Sequence, residues 1–447
     1  MKFLILDIYS KEKFRISKDQ NGSYGTANDY GDNFLANILN KFLKKNVDIP
    51  QLFIPHIIAE ITKKGFICDY KKAIIDDDLN IDKSFLDTYD YIIIPTSIVC
   101  HDIEYKVAKE LSNRKLFLVG PFSTNNSNLY DNLNAKIIKG EPEFFFRELN
   151  FEKLKEFTKL PKILIAKESN INLLARPMWE KVIDKKKNNM IFLGKGPAIY
   201  INASRGCPYS CFYYCVYPLS QGRKVRLKDP IKLVDELSFF KKEIGIKNFI
   251  FRDPVFSINN KHTEKICDII IERKLKVNLC IETHLSNLNE KISLKLKQAG
   301  VKLIYVGIES IDEDVKKTSN RHSDIEKNQT FKVNFLEKLG IKTKCMYIIG
   351  MPEDTKKKFL TTLNYAKKLN STFAQFSIFT PYPGTPAYNK FKNDILEKKF
   401  SKFNQWNLVF AHKHFSSEEI KKLLFKSILA YYLRPRWIFL KFLKVFR

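Results

Sequence analysis

Arg205-Gly206-Cys207-Pro208-Tyr209-Ser210-Cys211-Phe212-Tyr213-Tyr214-Cys215 places three cysteines within eleven residues, directly after the strand-like run Ile199 to Ala203. Thiols at that density on a loop suit a soft metal centre, because thiolate ligands select zinc, copper(I) and iron–sulfur clusters. Three ligands rather than four would leave one iron of a four-iron, four-sulfur (4Fe-4S) cluster open to a substrate atom.

Downstream, strand and helix signals alternate. Asp229-Pro230 is a helix start, a capping carboxylate followed by proline in the first turn, with Leu233, Val234, Leu237, Phe240 and Ile244 spaced along one face and Gly245 as the stop. Strands are expected at 248–251, 277–281, 303–306, 345–349 and 373–378, with helices near 263–271, 290–296, 325–339 and 355–369. With the strand at Ile199, six such units predict a partial (β/α)6 barrel over 198–395, related to the eight-unit barrel whose active sites lie at the carboxyl ends of the strands. That rule selects Asp253, Glu282, His284, Glu309, Ser310, Gly350 and Glu353.

Upstream, residues 1–165 carry a second alternating block: Phe3 to Leu6, Phe66-Ile67-Cys68, Tyr91 to Pro95, Lys115 to Gly120 and Ala135 to Ile138 read as strands. Helical spacing occupies 32–43, 52–61 and 103–111, with a further helix near Phe144. Buried strands alternating with helices predict a doubly wound, Rossmann-like parallel sheet whose ligands sit at the carboxyl ends of its strands. The candidate ligand loops are Thr96-Ser97, Gly120-Pro121 and Gly140-Glu141. Between the blocks, 166–197 loses periodicity, and Lys185 to Asn189 reads as a solvated linker or hairpin.

The tail 396–447 differs in kind. Ser416-Ser417-Glu418-Glu419 reads as a capping box opening a helix that carries Ile420, Leu424, Ile428 and Tyr431. From Lys421 onward there are eight basic residues and no acidic one, interleaved with Trp437, Phe439, Leu440 and Phe442. Such a helical, basic-aromatic extension either docks on the barrel or lies on an anionic membrane surface.

The 447 residues exceed one ordinary core, so two or three domains are expected. The net charge of +28 predicts attraction to phosphates or anionic membranes, yet the lysines are spread through almost every segment, as a skewed composition would also produce. A nucleic-acid footprint should form one stripe, so nucleic acid is not an expected partner. No run approaches the roughly 20 apolar residues of a membrane span, and Asp7 comes too early for a secretory signal. A cytoplasmic protein, with membrane association left open by the tail, is expected. Five scattered cysteines beside the three clustered ones do not form a secreted disulfide framework. Cys68, Cys267, Cys280 and Cys345 fall on apolar faces and read as buried packing residues; Cys100-His101 is a poor metal site alone. His412 and His414 read as surface residues, and His284 as either an active-site hydrogen-bonding group or a filler of the barrel mouth.

Arg205 to Cys211, Tyr217 to Arg223, Phe251 to Phe256, Thr283-His284-Leu285, Val306 to Ser310, Tyr347 to Pro352 and Thr380 to Pro386 together resemble the radical S-adenosylmethionine (SAM) enzymes, specifically the branch with an N-terminal cobalamin-binding domain. The resemblance covers about 199–388 in order. It implies a 4Fe-4S cluster held by Cys207, Cys211 and Cys215, whose open iron chelates the amino and carboxylate groups of SAM. One electron from a donor such as flavodoxin or ferredoxin then yields a 5′-deoxyadenosyl radical. By the same resemblance Asp253 holds the methionine amino group, Glu282 and Glu309 with Ser310 meet ribose or amino-acid moieties, and Gly350 lets adenine approach the backbone. The aromatic residues between the last two cysteines, Tyr213 being the one assigned to the cofactor, would shield the cluster and meet adenine.

Two departures stand out. The family pattern places the third cysteine three positions after the second, whereas Phe212-Tyr213-Tyr214 puts one extra residue before Cys215, which a loop bulge could absorb or which could mark a degenerate site. Asp7 is followed by Ile8-Tyr9-Ser10 without the histidine that ligates cobalt in many cobalamin-binding sheets. The N-terminal sheet then binds cobalamin with an open or water-bound lower face, through Ser97, Gly120 and Gly140, or serves only as support. The leading expectation is a methyltransferase acting at an unactivated carbon of a small-molecule or lipid-like substrate. The alternatives are a cobalamin-independent radical SAM enzyme and a non-catalytic basic binding protein. A tRNA methylthiotransferase is disfavoured, because residues 1–165 hold only Cys68 and Cys100.

Overall fold

The computed structural model describes residues 1–12, 15–28, 34, 36–38, 41, 49–75, 79, 82–167, 169–186, 190, 192–319 and 326–442. The helix expected over 32–43 falls largely outside them, as do 187–189 of the lysine-rich run.

The first block forms β1 (Lys2–Ser10), the hairpin β2 (Arg15–Ser17) and β3 (Thr26–Asn28), then β4 (Ile67–Ile75), β5 (Tyr91–Pro95), β6 (Leu116–Val119), β7 (Lys136–Lys139) and β8 (Ile163–Ile165). Six of these pair in parallel in the order β4-β1-β5-β6-β7-β8. The central strands are buried throughout, with Phe3, Ile5, Ile93 and Phe117 wholly inaccessible, as a sheet covered on both faces requires. Strand order reverses between β1 and β5, the point where a doubly wound sheet opens a crevice. Here the chain fills that crevice itself. The β2–β3 hairpin lies over it: the Ile98 amide donates to the Tyr24 carbonyl at 2.7 Å, and the fully buried Lys18 ammonium meets Asp7 at 2.8 Å and Glu104 at 2.9 Å.

The segment 169–186, read from sequence as linker, packs between the blocks. Trp179 is fully buried, the Met178 amide donates to the Pro55 carbonyl at 3.0 Å, and the Arg176 guanidinium stacks 3.7 Å over Phe239. A cation–aromatic stack and a buried indole are contributions that periodicity does not reveal.

The second block is a consecutive parallel sheet of β9 (Ala198–Ile201), β12 (Asn248–Phe251), β13 (Asn278–Glu282), β14 (Val301–Glu309), β15 (Lys342–Ile349) and β16 (Phe373–Ile378), with the short antiparallel pair β10 (Ser204–Arg205) and β11 (Arg226–Leu227) beside it. β9 and β16 are the sheet's two edges, so the barrel is partial. The helix Pro230–Phe239 begins as its sequence requires, with the Asp229 carboxylate accepting from the Lys232 amide. The expected capping box opens the helix Ser417–Tyr432. The tail docks on the barrel: Tyr431 bonds Ser371, the Trp437 indole donates to the Thr372 carbonyl at 2.9 Å, and Lys441 pairs with Glu337 at 2.8 Å. Among the described residues no helix is long and apolar enough to cross a membrane.

Candidate active site

The cysteine loop is held from three sides. Asp253, buried after β12, accepts from the Ala203 amide at 3.0 Å and the Ser204 hydroxyl at 2.6 Å, fixing the chain as it leaves β9. Arg205 donates to Glu141, in the loop after β7, and lies 2.6 Å from Glu143 in the first turn of the helix Pro142–Glu148, all three buried; Arg226 on β11 also pairs with Glu141. The N-terminal domain thereby grips the residue two before Cys207. At Gly206, with φ +90°, a Cβ would sit 2.1 Å from the Lys224 carbonyl oxygen, so only glycine lets the two limbs of the loop pass.

Residues 210–213 make a tight 3-10 turn, and the Cys215 amide donates to the Cys211 carbonyl at 3.3 Å, returning the third cysteine to the other two. All three cysteines line one cleft at the barrel mouth. Burial, then the neighbouring Cys211 and Cys207, push the Cys215 thiol well above its ordinary value. Three thiolates crowded without a cation repel one another, and a bound metal core would invert that repulsion. Among the described residues no group of three or more His, Cys, Asp or Glu side chains is arranged to hold a metal ion. By their chemistry, three soft thiolates in one cleft are the donor type that an iron–sulfur cluster takes.

Of the other residues singled out from sequence, Glu282 and Glu309 line this cleft, as does His284. Arg252 stands 3.9 Å from Glu282 and holds Asp19 of the N-terminal domain at 3.2 Å. Both Tyr213 and Tyr214 pack against the core, but only Tyr214 of the two lines the cleft. Asp253 is displaced from its expected role: it is wholly buried and spent on the cysteine loop, its carboxyl pushed up to about 6 by burial. The Ser310 hydroxyl faces Thr362 at 3.3 Å and accepts from the Asp312 amide. At Gly350 the space of a side chain is taken by Ile420 at 2.5 Å, so that glycine admits this chain's own C-terminal helix.

The N-terminal loops do not line the cleft either. Ser97 is closed over by Glu104, which accepts from its amide at 2.8 Å and its hydroxyl at 2.9 Å. A Cβ at Gly120 would meet Phe53 at 3.2 Å and one at Gly140 the Ala166 carbonyl oxygen at 2.4 Å. Their left-handed backbones serve internal packing. The amino-terminal wall of the cleft is instead Gln20 and Asn21 of the β2–β3 hairpin, tied to the barrel through Tyr382 at 3.1 Å and Gln405 at 2.9 Å. Sequence reasoning missed these, together with Tyr305, Lys344 and Gln375 inside the barrel. A lysine within the alternating strand 342–349 was the one available signal.

Residues 201–366 match the radical SAM superfamily, a span that begins at the end of β9 and takes in the cysteine loop. An uncharacterized methyltransferase of Pyrococcus horikoshii is 31% identical over 359 residues, 74% of this chain and 75% of its own. Among solved structures, TsrM of Kitasatospora setae, a radical SAM methyltransferase with cobalamin and a [4Fe-4S] cluster bound, is similar with a TM-score of 0.61 over 88% of this chain and 78% of its own, at 14% identity. OxsB, a cobalamin-dependent SAM radical enzyme, gives 0.65 over 95% and 66%, at 13% identity. The resemblance to these two structures is one of fold, and it extends across both sheets. Given a relative this similar over three quarters of both lengths, and a superfamily match that includes all three clustered cysteines, the chain belongs to the radical SAM superfamily, whose enzymes use a 4Fe-4S cluster and SAM.

Proposed function

We propose that the chain is a cobalamin-dependent radical SAM methyltransferase acting on a small molecule, with its cluster on Cys207, Cys211 and Cys215. The observation that carries this is the convergence of the three thiols with Glu282 and Glu309 in a single cleft walled on its other side by the N-terminal domain. When bound, the cluster supplies the electron that cleaves SAM, and cobalamin supplies a methyl carrier. Each thiolate would bind one iron and leave the fourth for SAM. Glu282 and Glu309 would accept hydrogen bonds from its amino or ribose hydroxyl groups, and the rings of Tyr214 and Tyr217 exclude water from the cysteine loop. Gln20 and Asn21 are the amino-terminal residues that would face a corrinoid.

The closed loops at Ser97, Gly120 and Gly140 favour a second reading, a radical SAM enzyme whose N-terminal sheet is only a scaffold. The two separate cleanly. Anaerobic reconstitution with iron and sulfide should give cluster absorbance and SAM-derived 5′-deoxyadenosine or S-adenosylhomocysteine; absence of all three overturns both readings. Retention of corrinoid after incubation with hydroxocobalamin and desalting supports methyl transfer, and its absence leaves the scaffold reading. The expected reductant is a one-electron protein donor. The aromatic-basic tail buries Trp437 and Tyr431 against the barrel and leaves Phe439 and Leu440 exposed, so it supports a small-molecule substrate without fixing its polarity.

A further inference from the structure

Inside the barrel, one cleft-lining ammonium, that of Lys344, is without an ion-pair partner among the described residues. Glu282 on β13, Tyr305 on β14 and Lys344 on β15 are register neighbours, and all three line the cleft. The Lys344 ammonium stands 4.7 Å over the Tyr305 ring, and among the described residues no carboxylate is in ion-pair contact with it. Arg15, on the hairpin that closes the barrel's side, acts on the same level: its charge is felt by Lys344, Tyr305 and Tyr200, and its Nε is buried without a hydrogen-bond partner. Arg252 is the third cation there, and Asp19 and Glu282 are the carboxylates, both turned toward Arg252. Glu309, four residues beyond Tyr305 and past a register irregularity at Gly307, lies nearer the mouth. With Asp19 and Glu282 turned toward Arg252, Lys344 has Arg15 as its strongest charged neighbour. Burial, then the charge of Arg15, lowers its amine to about 8. A half-buried charge is retained at such cost where something pairs with it. Gln375 on β16 adds a neutral amide to the same wall.

We propose that Lys344, backed by Arg15 and flanked by Gln375, is an anion subsite that receives a carboxylate of the substrate. A single ammonium in a cleft that also holds two carboxylates matches a monoanionic carboxylate better than a phosphate dianion. The subsite rests on the reading of this cleft as the active site and adds to it the substrate class: a small molecule with an acid group about two residues' depth below Gly307 and Met346. The ammonium would give the carboxylate a charge-assisted hydrogen bond, orienting the remainder of the substrate toward the cysteines at the mouth.

The test uses full-length, reconstituted enzyme and propionate as the probe, with neutral propionamide and inorganic phosphate as controls. Pulse labelling with acetic anhydride, read by peptide mass spectrometry, should show Lys344 acetylation slowed about tenfold by propionate at concentrations worth about 1.4 kcal/mol of binding. Propionamide should not slow it. Propionate should also raise the melting temperature of the wild type and of Lys344→Arg but not of Lys344→Met, and Arg15→Met should weaken the rise. Equal labelling with propionate and propionamide, protection by phosphate but not propionate, or an undiminished rise in Lys344→Met overturns the subsite. Protection by SAM alone would assign the lysine to SAM and overturn it equally. Because Lys344 lies away from the cysteines, Lys344→Met should keep full cluster absorbance. Failure of the subsite alone thus differs from failure of the enzyme reading, in which the wild type itself shows neither cluster nor SAM cleavage.

Discussion

The two parallel sheets present the same kind of feature, loops at the carboxyl ends of their strands, and use them in opposite ways. At the barrel mouth, Glu282 and Glu309 open into a cleft with three cysteines. In the N-terminal sheet, Ser97, Gly120 and Gly140 hold the corresponding positions, yet Glu104, Phe53 and Ala166 of the same chain occupy the space in front of them. Strand ends are where ligands can bind because backbone amides and loop side chains converge there; what decides between a site and a seal is whether another part of the chain arrives first. In this protein the β2–β3 hairpin seals one crevice and, through Gln20 and Asn21, walls the other.

The comparison breaks most sharply at the cysteine loop. Cys215→Ala should abolish the site-differentiated cluster, read as loss of iron and of the charge-transfer absorbance after reconstitution. Full cluster content in that variant would remove Cys215 from the ligand set. Next in size, Arg205→Met leaves Glu141 and Glu143 buried without their shared partner, and breaking a buried pair costs about 3–5 kcal/mol. Denaturant unfolding should show that loss, together with reduced cluster loading; an unchanged midpoint would mean that the N-terminal domain does not anchor the loop.

A pH titration sharpens the other side. His101, packed against Phe122, Tyr130 and Phe400, is held neutral, its pKa lowered to about 4 by burial. A histidine with a depressed folded pKa binds fewer protons folded than unfolded, so stability is full above the ordinary value near 6.5 and falls as pH drops toward 4. The loss amounts to as much as about 3 kcal/mol. His101→Gln should flatten that acid limb of the thermal stability curve. The smallest effect is expected at a sealed loop: Ser97→Ala should cost about 1 kcal/mol for its hydrogen bond and leave corrinoid retention unchanged. A clear fall in corrinoid binding would reopen that loop as a ligand site.

Much of the architecture was legible because it rests on local periodicity. β5 lies at Tyr91–Pro95 and β16 at Phe373–Ile378, where continuous apolar runs place them, and Asp229, Gly245 and the Ser416–Glu419 box cap their helices as their side chains dictate. Trp179 and its neighbours were illegible because a segment packed by single side chains has no period to read. The same holds for Asp253 and Gly350. Residue type and position at a strand end nominate both for a ligand, yet the carboxylate is consumed by Ala203 and Ser204 and the glycine by Ile420, partners far away in sequence.

By itself, the sequence determined two alternating blocks, a three-cysteine loop after the first barrel strand, and two carboxylates at the ends of later strands, since each follows from residue spacing over a few turns of chain. Only the tertiary structure decided which strand ends stay open, that Tyr214 rather than Tyr213 lines the cleft, and that Lys344 stands over Tyr305 in the barrel with no carboxylate in ion-pair contact among the described residues. Those outcomes depend on long-range packing, where a hairpin, a C-terminal helix and an ion pair between Arg205 and Glu141 compete for the same space that a ligand would take.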